Sequence, residues 1–367
     1  EGCRRGDRES AGGPAYGAAA FGTGTFLLPW AALCLLLQAQ VSHTLPTLNA
    51  AHTWRGENEL RFAQIACYLP QDGLLQESEI FSFRQTLSSK LMEASLEAPQ
   101  GGALYTDAYY GQGSVTVKSS RGVSAKANAL GVAGDFFRFH PLELRSGNYL
   151  ADSDLMKDRV LLDETLAWTL FGGMELTGLS VTIGTRDYYV AGVVRLEDDK
   201  YSTLANESTG GNIFLSYSAL KELEGESLGV AGYEIVLPDP ITDFGKNLVK
   251  DNLRTEGAEI VENSGRYTLA RLWQVARDFG KRSMGRSGIL FPYWENALRM
   301  TEDLAALALV LALLFGALPA VSLLVLAIRT VIRLLKKLRS GLASKVAADV
   351  EKKREKRWEK ARETRED

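Results

Sequence analysis

The chain has 367 residues, of which 45 are acidic and 42 are basic, so that its net charge is −3. The excess of Lys and Arg lies at the C-terminal end and leaves the middle of the chain acidic, which excludes a nucleic-acid-binding protein. The three cysteines, Cys3, Cys34 and Cys67, are an odd number and supply no disulfide framework. The folded part must therefore be stabilised by packing.

The N-terminal end combines basic residues with an uncharged apolar stretch. Three arginines lie in residues 1–17, which we expect on the cytoplasmic side, and residues 18–41 carry no charge. The strongly apolar part of this stretch is short and contains Pro29. Residues 18–41 are therefore predicted to form a first transmembrane helix or signal anchor, although a cleaved signal peptide has the same layout of charge and apolar residues.

The residues that follow predict a strand, a helix and three more strands. Alternation of apolar and polar residues predicts a strand over 60–69, which ends before Pro70. Apolar residues at helical spacing predict a helix over 78–98. The three further strands are predicted over 103–110, 114–118 and 125–132.

The same pattern returns further along the chain. A strand is predicted over 232–237, a helix over 241–255 and a strand over 258–262. The residues between the two βαβ units predict short strands with small helices. Two βαβ units separated by a β-rich block are typical of a split ferredoxin-like arrangement.

We therefore expect an α+β protein, with a membrane-anchored ectodomain flanked by transmembrane helices. Its split ferredoxin-like part is predicted to comprise residues 42–139 and 231–265. Residues 140–230 are predicted to form an inserted β-rich subdomain.

The longest uncharged apolar segment is residues 304–328. As a helix rising ~1.5 Å per residue it would span roughly 37 Å, more than the ~30 Å core of a bilayer. We predict that it is transmembrane helix 2, preceded by a helical connector over 266–303 and followed by a basic cytoplasmic tail over 329–367. Because basic flanks stay on the cytoplasmic side, we expect both termini in the cytoplasm and residues 42–300 outside it.

Small residues recur at every fourth position of the predicted membrane helix, where they allow another helix to approach closely. They are Ala308, Ala312, Gly316 and Ala320. The partner would be residues 18–41, another membrane protein or a second copy of this chain. The alternative is an alanine-rich helix without a partner.

The tail places apolar residues four apart between basic ones, which predicts an amphipathic helix. Its basic flank comprises Arg329, Arg333, Lys336, Lys337 and Arg339. This helix would either lie on anionic membrane lipid or contact an ATPase.

The sequence carries no motif for catalysis or cofactor binding. It lacks the phosphate-binding pattern G-x-x-x-x-G-K-[ST], and its three histidines lack metal-ligand spacing. Gly225–Gly229 matches G-x-S-x-G, but the predicted helix precedes the motif rather than following it, so we interpret it as a polar turn. We expect no enzyme activity, no cofactor and no metal.

Five segments of the ectodomain follow one another in an order that is informative. A small-residue strand ends in Phe136-Phe137, a turn contains Gly147, and a short strand occupies 159–163. A helix then ends at Phe171, and a last strand contains Gly192-Val193. Together they resemble the periplasmic core domain of MacB-like and FtsX-like ABC-transporter permeases, over roughly residues 44–265.

The resemblance implies a non-enzymatic membrane subunit of a transport or mechanotransmission system, with an ABC ATPase supplied in trans by a separate subunit. Such permeases have four membrane helices, whereas this sequence predicts two. Two alternatives therefore stay open: a membrane-anchored sensor or scaffold without an ATPase, and a truncated four-helix permease.

Overall fold

The computed structural model describes residues 29–30, 32–36, 46–56, 59–70, 75–96, 98, 102–206, 210–225, 227–254, 256–281 and 288–366. Contacts between Cα atoms divide the chain into two units. One unit is Gln38–Leu307, and the other combines Glu1–Leu37 with Ala308–Asp367. We describe each unit separately.

Ten strands and nine helices are described. The strands are β1 Phe62–Tyr68, β2 Thr106–Ser119, β3 Ser124–Gly134, β4 Glu143–Gly147, β5 Arg159–Asp163, β6 Ser180–Ile183, β7 Arg186–Arg195, β8 Asn212–Ser216, β9 Gly232–Pro238 and β10 Glu259–Glu262. The helices are α1 Ala50–Arg55, α2 Glu77–Glu93, α3 Phe136–Phe139, α4 Glu164–Phe171, α5 Lys200–Ala205, α6 Tyr217–Glu224, α7 Phe244–Asn252, α8 Leu269–Asp278 and α9 Tyr293–Glu366.

The first part of the sheet has the ferredoxin-like strand order. Strand β1 lies between β10 and β9, and β9 pairs with β2, all antiparallel. Helices α2 and α7, which complete the two βαβ units, contribute their buried residues to one hydrophobic cluster and so lie on one face of the sheet. The α+β fold class predicted from the sequence is confirmed.

The second part of the sheet closes on itself. The pairings run from β2 to β3, β8, β5 and β7, and β6 then joins β7 back to β2. The interior of this barrel-like ring holds apolar side chains of every strand in it, together with the buried side of α4. Because side chains alternate along each strand, the residues next to these interior ones lie on the outer side of the ring. Leu130, Phe214 and Leu161 are examples, and they belong to a different hydrophobic cluster.

That second cluster lies on the face opposite α2 and α7. It contains residues of α1 and α3, and Trp294 from the beginning of α9. The segment that enters the unit and the helix that leaves it therefore pack on the same side of the sheet.

Strand β2 differs from the sequence-based expectation. The strands predicted over 103–110 and 114–118 form one strand, although Gly111 and Gly113 lie between them. A Cβ atom at Gly111 would lie 3.0 Å from the Tyr217 ring, and one at Gly113 would lie 2.8 Å from Glu224 Oε1. The glycines therefore allow α6 to pack closely against a continuous strand and do not mark a turn.

Helix α9 also begins earlier than the predicted membrane segment. It starts at Tyr293, directly after Pro292, at a position where the missing N–H of proline costs nothing. Among the described residues, one helix is long and apolar enough to cross a membrane, over Tyr293–Arg354. The predicted first membrane helix lies largely outside the described residues, of which 29–30 and 32–36 are helical.

Candidate functional site: a buried ionic joint at the start of helix α9

The first three turns of α9 are enclosed by the Gln38–Leu307 unit. Among these residues Glu295 and Glu302 are 0% and 1% exposed, and Arg299 is 7% exposed. Charged side chains are almost never buried to this degree unless they are paired. We define the joint as these three residues with Tyr68, Glu259 and Arg266, which they contact.

Arg266 is the centre of the joint. It lies between β10 and α8, and its side chain is 1% exposed. Two of its nitrogens donate to the two carboxylate oxygens of Glu295, at 2.8 Å each. Its Nε lies 3.1 Å from Glu302 Oε1, and Nη1 also donates to Asn263 Oδ1 at 3.1 Å. One guanidinium thus joins two carboxylates that lie seven residues apart on α9.

Glu295 and Arg299 extend the network to the sheet. Arg299 Nε donates to Glu295 Oε1 at 2.7 Å, and Arg299 Nη2 donates to Glu259 Oε1 of β10 at 2.5 Å. Tyr68 of β1 donates its hydroxyl to Glu295 Oε2 at 3.0 Å. The guanidinium of Arg299 also lies 3.9 Å from the centre of the Phe291 ring. Strands β1 and β10, at this end of the sheet, are therefore both hydrogen-bonded to α9.

The arginines keep the buried Glu295 ionised. Burial by itself would raise the pKa of Glu295, but the Arg266 and Arg299 guanidiniums lower it below its usual value. Burial would likewise lower the pKa of Arg266, and the Glu295 and Glu302 carboxylates raise it well above its usual value. The joint is thus a set of mutually dependent charges.

Two aromatic residues attach the same helix end to the rest of the domain. Trp294 lies against Tyr110 of β2, with ring centres 5.3 Å apart, and against His140, at 4.5 Å. Tyr293 donates its hydroxyl to Glu197, just after β7, at 2.7 Å. The first turn of α9 therefore contacts both the ferredoxin-like part and the ring of strands.

A buried histidine and a buried glutamate lie close together next to Trp294. His140 Nε2 is 3.0 Å from Glu234 Oε2 of β9, and both side chains are about 5% exposed or less. The His140 ring also lies 4.7 Å from that of Phe136. This pair connects the centre of the sheet to the aromatic packing around α9.

The residues predicted from the sequence as sites lie elsewhere on α9. Ala312 is buried, Ala308 and Gly316 are half-buried, and Ala320 is exposed. The basic flank is exposed throughout, at Arg329, Arg333, Lys336, Lys337 and Arg339. The role of both sets in helix packing or lipid contact stays a prediction.

The contacts that form the joint were not predicted from the sequence. The sequence-based predictions place Arg266, Glu295 and Glu302 in the helical connector 266–303 without assigning a role to any of them. A signal was present, because Glu295, Arg299 and Glu302 lie at spacings of four and three residues, which place them on one face of a helix. A charged face on a helix that leads into lipid must be covered by protein or water, and here protein covers it.

The joint consists of paired charges that connect α9 to the sheet. Within the described residues no group of His, Cys, Asp and Glu side chains could hold a metal ion. Cys67 is fully buried, and this burial raises the pKa of its thiol to about 12. What the geometry provides is a fixed connection between two outer strands and a long apolar helix.

Comparisons with known proteins agree with this architecture. Residues 63–242 match the family model of the MacB-like periplasmic core domain. The extracellular domain of the ABC-type transporter YknZ from Gram-positive bacteria is 14% identical, with a TM-score of 0.37, and the match covers 54% of this chain and 98% of that one. The periplasmic region of MacB from Actinobacillus actinomycetemcomitans is 16% identical, with a TM-score of 0.40, over 60% and 94% of the two chains. None of the curated proteins matches.

The matched family model describes a periplasmic domain, and the described residues also contain a helix that is long and apolar enough to cross a membrane. The chain belongs, through residues 63–242, to the MacB-like periplasmic core domain family of ABC-transporter permeases. The resemblance noted in the sequence is thereby confirmed. The family match ends before Glu259 and Arg266, so that every member of the joint except Tyr68 lies beyond it.

Replacing the central arginine should strongly destabilise the domain. The Arg266→Met variant leaves Glu295 and Glu302 buried beside one remaining arginine, which we expect to cost about 3–5 kcal/mol of unfolding free energy. The measurement is urea unfolding of the full-length protein in a mild detergent, followed by tryptophan fluorescence. Arg277→Met is the matched control, since Arg277 is exposed and, among the described residues, pairs with its neighbour Asp278. Equal stability of the two variants would contradict the structural role of Arg266.

The low pKa of Glu295 predicts a particular pH dependence. A carboxylate whose pKa is lower in the folded than in the unfolded state stabilises the fold at pH values above its unfolded-state pKa, which is near 4.5 for Glu295. This contribution is lost as the pH falls. We therefore expect the unfolding free energy of the wild type to drop below about pH 4.5 more steeply than that of Glu295→Gln. The measurement is urea unfolding of both proteins between pH 3 and 7. Parallel curves would show that Glu295 contributes nothing in this range.

Proposed function

We propose that this chain is a non-enzymatic, permease-like membrane subunit of a MacB-type or FtsX-type ABC system. In this proposal its extracytoplasmic domain and α9 move together, and a separate ATPase in trans supplies ATP hydrolysis. The observation that carries the proposal is the buried ionic joint, which fixes the beginning of α9 to β1 and β10. Transport and mechanotransmission are both compatible with such a subunit.

The joint supports coupling because it resists independent motion of the helix end. Rotating or withdrawing α9 within the domain would separate Arg266 from Glu295 and Glu302 while leaving all three in a buried environment. Loss of one partner from a buried pair costs about 3–5 kcal/mol, so that such motion is strongly disfavoured. The first three turns of α9 are therefore expected to move together with the Gln38–Leu307 unit to which they belong.

The proposed topology places both termini in the cytoplasm and residues 42–300 outside. Its support is the charge distribution, since fourteen Lys and Arg but seven Asp and Glu follow residue 328. Residues 304–328 of α9 would cross the bilayer, with the small-residue face from Ala308 to Ala320 against another helix. The tail from Arg329 would then be available to a cytoplasmic ATPase.

The tail gives the most direct test of an ATPase partner. From native membranes in mild detergent, the full-length protein should co-purify with an ATP-binding protein, and a variant lacking residues 330–367 should lose it. The matched control is deletion of residues 355–367 alone, which leaves the basic flank Arg329–Arg339 intact and should retain the partner. The readout is mass spectrometry of the purified complex together with its ATPase activity.

Two results would contradict the proposal. Recovery of neither an ATP-binding protein nor a second permease with the full-length chain would favour a membrane-anchored sensor or scaffold. Equal recovery with and without residues 330–367 would show that the tail is not the contact.

A further inference from the structure

A cleft of about 770 Å³ lies on the outer side of the ring of strands, beside the start of α9. Its floor is formed by parts of β2, β3 and β8, and its wall by the residues that lead into α9, from Ile289 to Asn296. The volume falls within the roughly 300–1,000 Å³ that small-molecule sites occupy. All of the described lining belongs to the Gln38–Leu307 unit.

The lining is uncharged and combines apolar side chains with amides. Among its sixteen described residues none is acidic or basic, although charged residues make up 24% of the chain and about four would be expected. Five of the lining side chains are amides: Gln112, Asn128, Asn206, Asn212 and Asn296. An amide presents a donor and an acceptor side by side, so that the cleft is suited to a ligand with many neutral polar groups.

The sheet directs several of these amides to the same face. Alternation along the strands places Gln112 and Asn128 on the side of Tyr110 and Leu130, which face α9, and away from the interior of the ring. Asn212 is held in place, since Asp163 Oδ2 accepts hydrogen bonds from its backbone N–H at 2.7 Å and from its side-chain Nδ2 at 2.9 Å. The polar lining is therefore built on strands and partly pre-organised.

The wall of the cleft contains two buried polar atoms that are not satisfied. Trp294 is 4% exposed, and its Nε1 donor has no hydrogen-bond partner among the described residues. The same holds for the acceptor Oδ1 of Asn296, whose Nδ2 donates to the Phe291 carbonyl at 3.2 Å. Buried polar groups without partners are rare in folded proteins and are expected to be satisfied when the site is filled.

The chemistry of the lining selects one class of ligand. Without a described cationic or anionic side chain the cleft offers nothing to a phosphate, a carboxylate or a metal ion. An extended peptide normally binds through main-chain hydrogen bonds to a sheet edge, but the backbone of β3 at Asn128 and Leu130 is already paired with β2 on one side and β8 on the other. The side-chain amides remain as the binding groups of the cleft. Their adjacent donors and acceptors are suited to hydrogen bonds with vicinal hydroxyl groups.

We propose that this cleft binds a neutral oligosaccharide. Its hydroxyl groups would bond to the amides of Gln112, Asn128 and Asn296, and its apolar ring faces would rest on Leu130 and Leu290. Because Trp294 and Asn296 flank Glu295, a bound sugar would lie directly beside the joint. The binding itself goes beyond the proposed function and holds whether or not an ATPase partner exists.

The test is isothermal titration of the full-length protein in a detergent without a sugar headgroup. The probes are maltotriose, cellotriose and N,N′,N″-triacetylchitotriose, with N-acetyl-trialanine amide as a neutral peptide. We expect at least one oligosaccharide to bind with a Kd at or below about 1 mM. The double variant Gln112→Ala/Asn128→Ala should weaken this binding about tenfold, because two hydrogen bonds are lost.

Two further variants make the result specific. Asn128→Trp fills the cleft from an exposed position and should abolish binding without removing a buried group. Asn247→Ala is the matched control, since Asn247 is an exposed amide on α7, on the opposite face of the sheet, and should bind as the wild type does. Absence of binding by all three sugars, binding that Asn128→Trp leaves intact, or binding of the peptide alone would overturn the proposal.

Discussion

A guanidinium with 1% of its surface exposed must be neutralised by the protein, and this requirement organises the end of the domain. Arg266 takes its counter-charges from Glu295 and Glu302 on one helix, and this fixes both the rotation and the depth of that helix. Glu295 then needs Arg299, and Arg299 needs Glu259. Removal of Arg266, Glu295 or Arg299 takes a charged partner from two other members of the joint, so that these charges depend on one another.

The position of the joint explains how the beginning of α9 is held. The joint and the aromatic contacts of Tyr293 and Trp294 lie immediately before the apolar segment that begins at residue 304, and they reach both parts of the sheet. The first three turns of α9 are therefore held within the Gln38–Leu307 unit by buried side chains.

Periodicity predicted the fold well and the joint poorly. The βαβ units and the α+β class were accessible because each βαβ element carries its own apolar pattern, as in 232–237 and 241–255. The family was indicated separately, by the order of the five segments from Phe136 to Val193. The length of β2 was missed since Gly111 and Gly113 suggest a turn, and only the packing of Tyr217 and Glu224 against them shows otherwise. Arg266 and Glu295 are 29 residues apart, and no local pattern indicates that two such charges meet in the interior.

Native-state hydrogen exchange of the full-length protein tests the central claim most directly. If the joint makes the start of α9 part of the domain, the amides of residues 297–303 should exchange only through global unfolding, with the same free energy as those of β1 and β9. In Arg266→Met these helix amides should exchange by local opening while β9 stays protected. Faster exchange at 297–303 than at β1 in the wild type would contradict the account, because the helix end would then open independently of the domain.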